Sequence, residues 1–115
     1  MLSKDVEVLL SDIYHANENI EKICLLKSDG NISLFLSKSP VEEGEKKRLI
    51  ASIMASIVLA ERSIVNLIQE KVTNLVIKGD NTSTIIFTTM EGNYLYVLAK
   101  TDFDYKNTFN FEFNF

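Results

Sequence analysis

The sequence predicts an α+β domain: a five-stranded antiparallel sheet with helices on its faces and a strand-like C-terminal tail. Two observations carry that expectation. Hydrophobic spacing switches between a helical period and a period of two in the order helix, two strands, long helix, three strands. The strand runs are joined by short breaks rich in Gly, Asn and Asp, which suit antiparallel turns and are too short for parallel crossovers.

Residues 4–17 form the first periodic segment. Val6, Leu9, Leu10 and Ile13 fall at i, i+3, i+4 and i+7, one stripe of an amphipathic helix. Ser3 suits the N-cap, and Asp5 and Glu7 sit where the helix dipole favours acids. The stripe is narrow, so this helix is expected to lie on a surface. Residues 20–27 and 32–37 are then rich in β-formers. Ser28, Asp29, Gly30 and Asn31 break the run between them, a strong hairpin signal. Pro40 ends the second strand, because it offers no ladder donor.

Residues 42–70 read as one long helix with no proline inside and Gly44 near its start. Glu42, Glu43 and Glu45 load its N-terminal end with the charge the dipole prefers. Leu49, Ile50, Ile53, Ile57, Ala60, Ile64, Leu67 and Ile68 make one broad apolar stripe at helical spacing. A second strip, Met54, Val58 and Val65 flanked by Ala51 and Ala55, lies beyond Glu61. Covering one sheet face needs only the first stripe. The second needs another partner.

From Val72 the period returns to two. Residues 72–78, 82–89 and 94–100 read as three strands separated by Gly79-Asp80-Asn81 and Glu91-Gly92-Asn93, an antiparallel meander. In residues 107–115, Phe109, Phe111, Phe113 and Phe115 alternate with Asn110, Glu112 and Asn114, as a strand with one aromatic face would. Left in water together these rings would invite aggregation, so the tail is expected to fold back as a strand over a sheet face or edge. A disordered end is the competing expectation.

Length and composition set the limits. The chain has 115 residues, the size of one domain, so residues 1–115 are read as a single unit with 101–115 as its tail. Its residues are 46% hydrophobic and 24% charged, which argues against a disordered chain. Twelve Lys and Arg against sixteen Asp and Glu give a net charge of −4, a poor match for nucleic acid. The most apolar stretch, residues 53–60, falls well short of the ~20 residues a membrane span needs. The first residues mix both charges, unlike a secretory signal, and Cys24 is the only cysteine. A reducing cytoplasm is therefore the expected location.

The chemistry-bearing residues do not assemble into a recognisable centre. His15 is the only histidine, so one chain cannot supply a histidine metal cluster or a Ser-His-Asp triad. Cys24, flanked by Ile23 and Leu25, is expected to be a small core residue with no base beside it. The acidic cluster at Glu42–Glu45 and the basic run Lys46-Lys47-Arg48 read as a solvated helix start with i, i+4 pairs. Neither phosphate-loop nor dinucleotide-loop glycine patterns occur. Tyr94 and Tyr96 share a strand face, which packing explains better than base stacking on a chain of this charge. No catalytic residue, metal ligand or cofactor is expected, and the chain is read as no enzyme.

The order of elements, together with residues 19–30 and the stretches Val76-Ile77-Lys78-Gly79 and 92–99, resembles the Roadblock domain family, the dynein light chain and small-GTPase-regulator group. The resemblance covers about residues 2–100. It implies a homodimer, or a heterodimer with a similar domain, in which the long helices and the strand after them pair. It also implies a small Ras-like GTPase as partner, or a structural light-chain or adaptor role with no GTPase involved. A small-molecule sensor of longin- or profilin-like layout is a further reading. On these terms Ala51, Met54, Ala55, Val58, Arg62, Val65, Leu75 and Ile77 are the expected dimer interface. The chain departs from the family in residues 101–115, which lack the closing helix and the Leu-Gly pair that introduces it.

Overall fold

The computed structural model describes residues 3–68 and 71–115, with side chains for 5–64 and 71–115. Helix α1 spans Ser3–Ala16, strands β1 and β2 Ile20–Leu26 and Ile32–Ser37, and helix α2 Glu43–Ile68. Strands β3, β4 and β5 follow at Asn74–Lys78, Thr82–Thr88 and Tyr94–Lys100, and a one-turn helix α3 at Tyr105–Thr108. The strands form one antiparallel sheet in the order β2-β1-β5-β4-β3. The α+β class and the five strands match the expectation from spacing.

Strand order follows from burial. Leu95, Tyr96 and Val97 of β5 and Ile23, Cys24, Leu25 and Leu26 of β1 are consecutive buried residues. Strands apolar on both faces belong at the centre, where each face is covered. The edge strands β2 and β3 hold no fully buried residue.

Two apolar clusters lie on opposite faces of the sheet. On one, Val6, Leu10 and Tyr14 of α1 pack with Ile23, Leu25, Ile85, Leu95 and Val97, and Phe109 and Phe115 join them from the tail. On the other, Ile53 and Ile57 of α2 pack with Cys24, Leu26, Ile86 and Tyr96. Bulges between Ile20 and Lys22 and between Leu25 and Leu26 shift the register. The first keeps Ile20 on the same face as Ile23, which strict alternation would not allow.

The β1–β2 turn is built by its side chains. Asp29 Oδ1 accepts from the Asn31 N–H at 2.9 Å and Oδ2 from the Asn31 amide at 3.0 Å. Gly30 takes φ +91°, a left-handed conformation that glycine adopts at little cost. The Ser28 N–H donates to Asn93 Oδ1 at 3.1 Å, tying this turn to the β4–β5 turn.

The tail differs from the strand expected of it. It carries the short helix α3, then runs without regular secondary structure from 109 to 115. It nevertheless folds back: Phe109 and Phe115 are buried, and Phe111 and Phe113 are half-buried against the α1-side cluster. The alternation expected of a strand survives, with the four rings on the covered side and Asn110, Glu112 and Asn114 exposed. The regular backbone does not: Asp104 starts a helical turn by accepting from the Asn107 N–H, and residues 109–115 form no ladder.

Candidate interaction surface

The broad stripe on α2 faces the sheet. Ile53 and Ile57 are buried there, and Leu49, Ile50, Ala60 and Ile64 are partly so. Among the described residues, the opposite side of the helix is exposed to solvent. Ala51, Ala55 and Arg62 are exposed, and so are Val58 at 44% and Leu59 at 63%. Exposed alanine, valine and leucine in mid-helix, between Arg48 at one end and Glu61 and Arg62 at the other, form an apolar patch where charge would be free to sit. Leu59 belongs to this surface although the spacing argument passed over it. Its signal was the Val58-Leu59 pair, too wide for a single stripe.

Beside this helix runs the open edge of the sheet. β3 pairs with β4 on one side only. Ile77 is 50% exposed, and Leu75 is half-buried under α2. Between α2 and β3 lies an open groove of about 210 Å³, walled by Leu49, Ser52, Ser56, Ile77 and Thr84 over a floor of Ile53, Ile86 and Tyr96. The serines spend their hydroxyls inside the helix: Ser52 donates to Arg48 O at 2.9 Å and Ser56 to Ser52 O at 2.8 Å. The wall they make is small and non-competing, so a close approach is sterically open. Ser52, Ser56 and Thr84 were not singled out from sequence; serines at i, i+4 flanking an apolar stripe were the readable sign.

Of the expected interface residues, Ala51, Ala55, Val58, Arg62 and Ile77 are exposed around the outer side of α2 and the β3 edge. Met54 and Leu75 are half-buried and pack against the cluster beneath α2, so they border the surface. The side chain of Val65 lies outside the described residues, as do those of Leu67 and Ile68.

The other candidate groups have structural surroundings. Cys24 is fully buried, and burial pushes its thiol up to about 11, against a weaker opposing pull from the Lys46 ammonium. His15 is exposed, its ring edge-on to Tyr14 and its Nδ1 2.8 Å from Ser11 O. Lys46 pairs with Glu43 at 3.4 Å and lies over the Phe35 ring at 5.1 Å. Tyr96 is buried under α2, with Tyr94 half-buried beside it. Among the described residues, no three His, Cys, Asp or Glu side chains converge on a point, and no helix is long and apolar enough to cross a membrane.

No protein-family model and no curated relative matches the sequence. Solved structures do match. A Roadblock/LC7 domain from Streptomyces avermitilis is 20% identical, with a TM-score of 0.72 over 89% of this chain and 83% of that one. MglB of Myxococcus xanthus is 15% identical, with a TM-score of 0.69 over 92% and 84%. A chain of the LokiProfilin2–rabbit actin complex is 13% identical, with a TM-score of 0.57 over 95% and 90%. The chain is thus a Roadblock-like domain in its fold. At these identities the likeness concerns fold, and function has to be argued from the surface.

Proposed function

We propose that the chain is a non-catalytic, dimeric regulator or scaffold for a small Ras-like GTPase. The observation that carries this reading is the exposed Ala51, Ala55, Val58 and Leu59 on the outer side of α2, beside the groove and the open edge of β3 with its exposed Ile77. A two-fold axis through Val76 would pair β3 with its copy antiparallel. Leu75 of one copy would then face Ile77 of the other, and Val76 would face itself. The same axis would bring the outer sides of the two α2 helices together at Ala51 and Ala55, where small side chains permit close crossing. A stable interface buries about 1,600 Å² in total, which one strand edge and one helix side can supply together.

The dimer would be the platform, and the GTPase its client. Where such a platform alters hydrolysis, the reaction's groups reside in the GTPase and its Mg²⁺ site, and the partner repositions them. The test is capture of small GTPases loaded with GDP or with a non-hydrolysable GTP analogue on the immobilised chain. Retention that depends on the nucleotide supports the reading. Uniform failure across a panel from the source organism favours the structural adaptor.

A further inference from the structure

The sheet face opposite α2 is covered by two different means. α1 lies over part of it with a regular helix, whereas residues 109–115 reach it with almost no backbone structure. Two hydrogen bonds link this segment's backbone to the β4–β5 turn: the Met90 N–H donates to Phe113 O at 2.8 Å, and the Glu91 N–H donates to Phe115 O at 3.3 Å. Everything else is aromatic packing. Phe113 stacks on Phe87 with centroids 4.8 Å apart and planes 18° from parallel, and Phe109 tilts against the same ring at 5.4 Å. The polar residues between, Asn110, Glu112 and Asn114, all face solvent. The segment lies on the face as a peptide ligand lies in a groove, with alternate side chains in pockets and backbone bonds at a few points.

It also leaves the groove part-filled. An open hollow of about 580 Å³ lies beside it, lined by Phe87, Met90, Phe111 and Phe113 and by the polar Thr73, Asn74, Thr88 and Glu112. Met90 stands 84% exposed at its rim. A segment tied to the rest of the fold by two backbone bonds, with no ladder and an open hollow beside it, is held less firmly than the strands beneath it.

We propose that residues 109–115 are a displaceable strap, a ligand bound in cis, and that the groove beneath accepts in exchange an extended partner segment with aromatic residues at alternate positions. The occupant already present defines that chemistry: rings at i, i+2, i+4 and i+6, and uncharged or acidic residues between. The bound rings lie on the sheet face away from α2, while Thr73 and Asn74 at the hollow's rim stand at the start of β3, beside the proposed dimer contact.

The experiment uses the full, isotopically labelled chain, with an unlabelled synthetic peptide of residues 107–115 as probe. Amide exchange reads the strap directly, because the Met90 and Glu91 amides are bonded only through it. The strap predicts that both are protected yet exchange at least about tenfold faster than the β4–β5 ladder amides. Excess peptide should move the resonances of residues 109–115 to those of a free segment. Phe113→Ser, which weakens the strap, should bind the peptide at least about tenfold more tightly, since less competitor occupies the groove. Exchange of Met90 and Glu91 at the ladder rate would overturn the proposal, and so would strap resonances that stay unmoved at saturating peptide.

Discussion

Cys24 and Gly30 show how single residues fix this molecule without taking part in chemistry. Cys24 sits at 0% exposure where α2 crosses the sheet, and its thiol stays neutral until about pH 11. In the unfolded chain a thiol ionises near 8.5, so above that pH the unfolded state gains charge that the native state refuses. Stability contributed by the buried neutral form is therefore whole below pH 8.5 and declines as pH rises toward 11. Thiol reagents at pH 8 are expected to leave Cys24 unmodified until denaturant unfolds the chain, and Cys24→Ala should flatten the alkaline arm of a pH–melting curve. Labelling of native protein within minutes would contradict this. At Gly30 a Cβ would meet no atom within 4 Å, so Gly30→Ala costs only the left-handed conformation. That cost is about 1–2 kcal/mol, read as a lower urea midpoint with an unchanged slope.

At the scale of elements, period carried most of the reading. β2 and β5 run as their spacing indicates, and α2 is a single helix with its broad stripe on the sheet. The tail was legible in energy but not in form. Four phenylalanines, each worth about 1.5–3 kcal/mol when buried, had to find cover; Phe109 and Phe115 do so fully, and Phe111 and Phe113 in part. Alternation alone could not reveal that Asp104 nucleates a helical turn, because capping bonds leave no periodic trace. Strand order was likewise open, although the consecutive apolar residues of β1 and β5 point to central places. The candidate surface was half legible. Exposed Ala51, Ala55 and Val58 follow from having one stripe too many, whereas the groove depends on how far β3 stands from α2. That separation is a tertiary distance. Arginine in place of Ala55 would set a long charged side chain in a close helix crossing, so Ala55→Arg should weaken self-association by several kcal/mol while leaving the monomer's melting temperature nearly unchanged.

For the molecule as a whole, the sheet separates two surfaces of different character. The outer side of α2 and the β3 edge expose Ala51, Ala55, Val58, Leu59 and Ile77, where the proposed second copy would dock. The α1 face is closed, in part by a segment that its own backbone scarcely anchors. On the proposed reading, a molecule with this layout would assemble on one side and exchange contacts on the other. The first half of that account is the central claim, and sedimentation equilibrium tests it most directly, on the unaltered chain and on Ala55→Arg at tens of micromolar. The account predicts twice the chain mass for the unaltered protein and a shift toward the single-chain mass for the variant. A single-chain mass for the unaltered protein, or a dimer indifferent to Ala55→Arg, would contradict it.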